Sequence, residues 1–398
     1  MSSPRPFPFM NATPVRPPLE FQQLHANEPV SQITYPSGEG GYLVVRYEDV
    51  KRVLKDHRTF SRAQTAAPDA VRVGTSPVQP ATLLSYDPPE HDRLRSVVAP
   101  FFGRGTIARM EDDLRTSARR LLDVAFSRTK EAELVSDFAR PYSTLAILAL
   151  LGLSEEFYDE ICYWSDRAMA LPTPDADTEG AAFQHLRAVF STVFSATNSY
   201  TDAGILSSLA DAHRKDMLSA DELLQMAVTI VVAGHETTAS VLSKLLYRLL
   251  SEPQLLDPAA RTAPTAADMD ALIAEMMRTS SSGGGSFIRV TTRAVNLAGT
   301  HIPAGSAVSA PPTGANLDPG VYPEPLRVDP TRRSPSSLVF GAGAHRCLGE
   351  HLARLELRVA VQEFLHAQPE GTRLASRGVK ASEWIGNRPL QDLPVTWS

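Results

Sequence analysis

One long apolar-patterned stretch constrains most strongly how this chain can fold. Ser219-Ala-Asp-Glu222 sets a hydroxyl three residues before a carboxylate, the capping-box pattern that opens a helix. Apolar residues then recur at Leu223, Ala227, Ile230, Val231, Val241, Leu245 and Leu249, which is helical spacing. The pattern predicts one helix of roughly 30 residues, about 45 Å long, enough to cross a whole domain. Its most apolar part, Leu223 to Ala233, is interrupted by Gln225 and Thr229 and followed by His235 and Glu236, so a buried helix is expected and not a lipid-facing span.

The rest of the first 250 residues also reads as mostly helical. A strand over 41–47 gives way to a helix through Leu54, and Asp87-Pro-Pro-Glu90 places an N-cap residue and proline where a helix carrying His91 and Arg95 begins. The stretch 61–85 is irregular and long enough to be read as a functional loop. Further helices are expected over 155–170, 180–200, 267–278 and 348–365, with short strand-like runs over 287–292, 301–302 and 307–309. No repeat and no dividing linker is visible. The expectation is one mainly α domain with a small β portion over residues 1–398, residues 1–20 forming a proline-rich N-terminal segment.

Charge narrows the partners. Lys plus Arg number 39 against 45 Asp plus Glu, a net −6, which offers no basic field for nucleic acid. Residues 1–20 contain no continuous apolar run, so neither a signal peptide nor a membrane anchor is expected. Only two cysteines occur, Cys162 and Cys347, far apart in the chain. They cannot be a disulfide framework, and a reducing, cytoplasmic location is expected.

Cys347 lies in Phe340-Gly-Ala-Gly-Ala-His-Arg-Cys-Leu-Gly349. Glycines on both sides let the backbone pass close to something flat or bulky, and free amides at a helix start stabilise a thiolate that could ligate a metal. A buried small hydrophobe in a glycine-rich turn is the plain alternative. A zinc set is another, since His345, Cys347 and His351 lie close together and His91 could complete them, but no second cysteine pair has zinc-like spacing.

This segment resembles the haem-ligand loop of the cytochrome P450 family, whose pattern Phe-Gly-x-Gly-x-His-x-Cys-x-Gly is matched at every fixed position. Such a match arises by chance on the order of once in tens of millions of windows. Three further motifs follow the family's order. Ala233-Gly-His-Glu-Thr-Thr238 resembles the oxygen-activation motif, Glu275-x-x-Arg278 the structural Glu/Arg motif, and His91-x-x-x-Arg95 the propionate-binding pair. With Ala315-Asn316 and Asp318-Pro319, the resemblance covers essentially the whole chain and implies the P450 fold, a single domain around a buried haem b.

The resemblance assigns roles. Cys347 is the iron ligand. His91, Arg95, Arg289 and His345 hold the haem propionates, Arg289 being preferred to Arg293 by its distance from Ile302-Pro-Ala-Gly305. Thr237 donates a hydrogen bond that steadies bound oxygen, Glu236 is the acid of a proton relay, and Gly234 lets the helix open locally. A kink held by a back-bonded threonine is the alternative for that motif. Glu275 and Arg278 belong to structure and not to turnover, and Cys162 is packing. Ala294 stands where the family commonly has Asp, and Leu317 where it often has Arg.

Substrate contacts are expected from the 61–85 loop with Gln64, from Val232 and Ala233, from the Ser/Gly-rich 280–288 segment with Phe287, and from the hairpin near Ile385. The implied activity is oxidation of a mid-sized, largely apolar secondary metabolite with dioxygen, by hydroxylation or epoxidation. Oxidative coupling of aromatic substrates such as cyclic dipeptides, without oxygen insertion, and a non-catalytic haem-binding protein are the alternatives. The chain has no flavin or iron–sulfur motif, so a ferredoxin-type donor with its reductase is implied, docking on Arg104, Arg109, Arg346, Arg354 and Arg358. No nucleic-acid or membrane partner is expected.

Overall fold

The capping box forms: Ser219 Oγ accepts from the Glu222 N–H at 3.2 Å, and the Glu222 carboxylate accepts from the Ser219 N–H at 2.7 Å. The helix it opens runs without interruption over Ala220–Ser251. The structure is a computed structural model and describes residues 4–9, 15–67, 69–71, 83–127, 130–169, 177–196, 200–255, 265–280, 287–381 and 389–398. In chain order the helices are α1 Glu20–Asn27, α2 Tyr47–Lys55, α3 Glu90–Val98, α4 Arg104–Ala108, α5 Glu111–Ser127, α6 Arg140–Leu151 and α7 Tyr158–Met169. They continue as α8 Asp177–Ser195, α9 Ile205–Arg214, α10 Ala220–Ser251, α11 Ala266–Arg278, α12 Pro312–Asn316 and α13 Glu350–Ala367. The chain is mainly α with a small β portion, as the periodicities predict.

Two units are distinguished. The first comprises residues 1–92, 271–347 and 383–388 and contains a six-stranded sheet. Its strand order is Arg5–Pro6, Val30–Thr34, Gly40–Val44, Ala307–Ser309, Ile288–Thr291, Phe60–Ser61. The sheet joins the N-terminal hairpin to the strand-like runs read near residue 300: Tyr42 pairs with Val308 in parallel, and Arg289 faces Val308 across an antiparallel ladder. Val44, Val50, Val53, Phe60 and Val308 are wholly buried in its core. The strands Arg5–Pro6 and Phe60–Ser61 are two residues each, too short for a period to announce.

In the same unit Glu275 and Arg278 form a buried pair, with Arg278 Nε at 2.7 Å from Oε1 and Nη2 at 2.9 Å from Oε2. Arg278 also donates to the carbonyls of Asn316 and Pro325 and stacks its guanidinium over the Tyr322 ring. Arg332 closes the set through Nε to Glu275 Oε2 at 3.2 Å. One carboxylate and two guanidiniums thus anchor the irregular chain between α12 and the cysteine loop. The structural role expected for Glu275 and Arg278 has this geometric basis, whereas Arg332, 57 positions from Glu275, escaped the sequence reading.

The second unit comprises residues 93–270, 348–382 and 389–398. Helix α10 packs against α6, α7, α8, α9 and α13, and α5 lies along α13. By length and composition α10 could cross a membrane, but most of it is buried among these helices. Gly234 serves packing: a Cβ there would lie 2.6 Å from Ile147 Cδ1 of α6. The local opening expected at Gly234 is absent, because the close approach of α6 needs a regular helix without a side chain at that position.

Candidate functional site

The cysteine loop is a chain of tight turns. Gly341 N–H bonds the Leu338 carbonyl at 2.8 Å, Arg346 N–H the Gly343 carbonyl at 3.1 Å, and Cys347 N–H the Phe340 carbonyl at 2.8 Å. Gly341 and Gly343 sit at φ +71° and +75°, where L side chains are strained. A Cβ on Gly343 would also meet Leu54 O at 2.5 Å, so this glycine seats the loop on the last turn of α2. The Cys347 side chain is exposed at the head of the loop, and α13 begins three residues later at Glu350.

Behind the loop lies a cluster of basic groups. His91, buried at the start of α3, meets His345 with ring centroids 4.4 Å apart. Arg289 is buried and donates to its neighbour's carbonyl, Ile288 O, at 2.8 Å. Arg62 donates to Leu84 O and Ile288 O. Burial pushes the Arg289 guanidinium down to about 9, helped by Arg62 and opposed by Asp87. His345 is pushed down to about 3 by burial, then by Arg289, His91 and Arg62. His345 Nε2 is buried without a hydrogen-bond partner. Arg293, the rejected alternative, is exposed and donates to Thr59 Oγ1. Arg95 lies one turn beyond His91 on α3, partly exposed. Arg62 and Asp87 were missed by sequence reading, which had only a loop arginine and an N-cap aspartate to see.

On the second unit, Ala233 and Thr237 are the only exposed residues of α10 between Leu223 and Leu250. They are one turn apart and so share a face. Thr237 Oγ1 donates to the Ala233 carbonyl at 2.5 Å, the back-bonded arrangement held open above. Glu236, next to it, is buried with Oε2 unpartnered. Burial raises its carboxyl above the ordinary glutamate value, and Arg140 and His235 oppose that rise. His235 is fully buried, its Nδ1 2.6 Å from Thr144 Oγ1 and its Nε2 3.0 Å from Asp166 Oδ1. Cys162, expected to be packing, is half-buried with Sγ 3.0 Å from Thr144 Oγ1.

Other expected contacts divide. Val232 is buried, Gln64 is exposed in a short 3-10 turn, and Phe287 is half-buried with its ring edge 3.5 Å from the Cβ position of Gly341. Ile385, residues 281–286 and much of the 61–85 loop lie outside the described residues. Arg104, Arg109 and Arg346 are exposed. Arg358 pairs with Glu111 and Asp270, and Arg354 with Glu350, so these two are committed to neighbouring acids. Among the described residues of the first unit His91, His345 and Cys347 do not group as a metal set.

A family model described as Cytochrome P450 matches residues 181–260 and 268–367. The mycinamicin IV hydroxylase/epoxidase of Micromonospora griseorubida is 33% identical over 100% of this chain and 99% of its own. The chain belongs to the cytochrome P450 family. The nocardicin C N-oxygenase of Nocardia uniformis subsp. tsuyamanensis is likewise 33% identical, over 99% and 98%. A solved structure of a mutant of the mixed-function P450 MycG with mycinamicin IV superposes with a TM-score of 0.89 at 32% identity, covering 99% of this chain and 100% of that one. The protein is a P450 monooxygenase, an oxidoreductase that takes dioxygen, a small-molecule substrate and electrons from redox partners.

Membership implies haem on a cysteine thiolate, and the residues present fit it. Four basic groups, His91, His345, Arg289 and Arg62, gather with Asp87 as the acid that faces Arg289. The two guanidiniums outweigh that one acid, and the neutral His345 with its orphaned Nε2 adds a hydrogen-bonding group, which suits two carboxylates. The cysteine loop offers an exposed sulfur.

Proposed function

We propose that this P450 hydroxylates or epoxidises a mid-sized, largely apolar secondary metabolite of the macrolide kind, with electrons from a ferredoxin-type donor and its reductase. The observation that carries the reading is the single window in α10, where Ala233 and Thr237 are exposed beside the buried Glu236. Between Leu223 and Leu250 the helix exposes only the face on which the family's oxygen-activation residues stand. The substrate class follows the relatives, whose names include a mycinamicin IV hydroxylase/epoxidase.

Each residue has a task. Haem b held through a cysteine thiolate supplies dioxygen binding and activation when bound. Cys347 is the ligand, its loop fixed by the Phe340 and Gly343 carbonyls. Arg289, His91 and His345, with Arg95 from α3, hold the propionates, and Arg62 adds to their positive field. Burial keeps a proton on Glu236 at pH values where an exposed glutamate has lost it, which suits it to act as a general acid. Thr237, its hydrogen committed to Ala233 O, presents lone pairs to the open face. It accepts from water there and donates when that bond to Ala233 is released. Ala233 supplies a small wall beside the substrate, with Gln64, Phe287, Val232 and Ile385 as further contacts. Residues 1–398 are read as one functional domain because the relatives match throughout. A reducing cytoplasm would keep Cys347 a free thiol.

Thr237→Ala tests the reading. The substrate-induced spin-state shift should persist while reducing equivalents are diverted to peroxide, with Thr237→Ser restoring most product. A fully coupled Thr237→Ala enzyme would remove Thr237 from the mechanism. Product mass separates oxygen insertion, a gain of one oxygen, from oxidative coupling, a loss of hydrogens.

A further inference from the structure

Glu236 can act once as an acid and must then be refilled, yet it is buried. The groups facing it are Arg140 of α6, Asp166 of α7, and His235 and Lys244 of α10. A ligand atom from each of Asp166, His235 and Glu236 lies within 4.8 Å of the other two. One intervening water spans such a gap. Exposure is graded along this set: the Asp166 side chain is 32% exposed, whereas Glu236 is 6% and His235 0% exposed. Asp166 is therefore the member that meets solvent. Its other oxygen, Oδ2, is held by Arg140 Nη1 at 2.9 Å.

The hydrogen-bond arithmetic around His235 shows what the clamp permits. Thr144 has one hydroxyl proton and three neighbours that can accept it, the Arg140 carbonyl at 3.0 Å, His235 Nδ1 at 2.6 Å and, more weakly, Cys162 Sγ at 3.0 Å. When Thr144 donates to Nδ1, His235 donates from Nε2 to Asp166. When Thr144 donates to Arg140 O, it accepts from Nδ1–H, and His235 Nε2 is free to accept from a protonated Asp166. Both protonation states of Asp166 are thus satisfied without moving a heavy atom.

We propose that Asp166, held by Arg140 and His235, is the solvent-side carboxyl that returns a proton to Glu236 after Glu236 has given up its own. Water protonates Asp166, Asp166 passes that proton to the Glu236 carboxylate through one water, and Asp166 returns to its ionised pairing with Arg140. No electrons move. His235 is a positioning residue: it holds Asp166 in line and, by switching tautomer with Thr144, accommodates both of its states. This rests on the reading of Glu236 as the acid.

The test uses the haem-loaded protein and four variants, Glu236→Gln, Asp166→Asn, the double variant and Thr144→Val. The first readout is the infrared band of the protonated Glu236 carboxyl, identified by its loss in Glu236→Gln and titrated with pH. Asp166→Asn should lower its midpoint, since the neighbouring negative charge is gone. The second readout is peroxide against product, with the solvent isotope effect on product formation. Asp166→Asn should cut coupled turnover by about tenfold, less than the ~10²–10⁴ a positioned acid contributes, and raise the isotope effect. The double variant should be no worse than Glu236→Gln, as residues on one path are not additive. Thr144→Val tests the clamp without removing a charge and should shift peroxide in the same direction. If Glu236→Gln stays coupled, the acid assignment itself falls. If Glu236→Gln uncouples while Asp166→Asn and Thr144→Val stay coupled, or if the Asp166 and Glu236 losses multiply, the acid stands and the Asp166 route is overturned.

Discussion

Gly343→Ala isolates how the cysteine loop is seated, with Gly341→Ala as its control. Both glycines have a left-handed backbone, φ +75° and +71°, so both substitutions cost about 1–2 kcal/mol for the conformation alone. Their surroundings differ. A Cβ at 341 would find its nearest heavy atom, Phe287 Cε1, at 3.5 Å, an ordinary contact. A Cβ at 343 would lie 2.5 Å from Leu54 O and 2.8 Å from Lys55 Cα. Those are backbone atoms of the last turn of α2, which no rotamer change removes. Either α2 or the loop must shift, at about 1–3 kcal/mol more. The expected losses are thus ~2–5 kcal/mol for Gly343→Ala and ~1–2 kcal/mol for Gly341→Ala. Urea denaturation of the haem-loaded proteins, followed by far-ultraviolet circular dichroism, reads the difference, provided the denaturant slopes agree. The thiolate-type spectrum of the carbon monoxide complex should weaken more in Gly343→Ala, since Arg346 N–H bonds the Gly343 carbonyl one residue before Cys347. Equal losses, or a larger one at 341, would refute the seating of the loop on α2.

Glu275→Gln keeps the shape but removes the charge that balances Arg278 and Arg332, and breaking a buried pair of this kind costs about 3–5 kcal/mol. The exposed Arg327–Glu324 pair is the comparison, where Glu324→Gln should cost under about 1 kcal/mol; similar midpoints in urea for the two variants would contradict the network's role. Glu236 makes the pH prediction. Its folded carboxyl is held above the ordinary value of 4.5 by burial, so the native state keeps a proton that the unfolded chain releases. Wild-type stability should then fall relative to Glu236→Gln as pH rises above 4.5 and level off beyond the folded value, with the two converging in acid. Melting temperatures that keep a constant difference across that range would show that Glu236 is not desolvated.

Local patterns made much of this protein legible in advance. The capping box at Ser219, the apolar period of α10, the helix after Cys347 and the strand-like runs around residue 300 depend on neighbours within a turn or two, and they stand where the spacing put them. The glycine and cysteine pattern of 340–349 is local in the same way. Tertiary packing decided what those residues touch. Arg332 joins Glu275 across 57 positions, and Arg62 and Asp87 come beside Arg289 through a sheet whose strands are far apart in sequence. Gly343 is fixed by α2, and Gly234 is held closed by Ile147 where an opening was expected. Thr144, Asp166 and His235 come from three helices and meet only because α6 and α7 pack on α10. Period and composition state that a face will be buried. Which partner covers that face, and hence whether a buried carboxyl meets solvent through another residue, is set by side-chain contacts that no spacing along one helix contains.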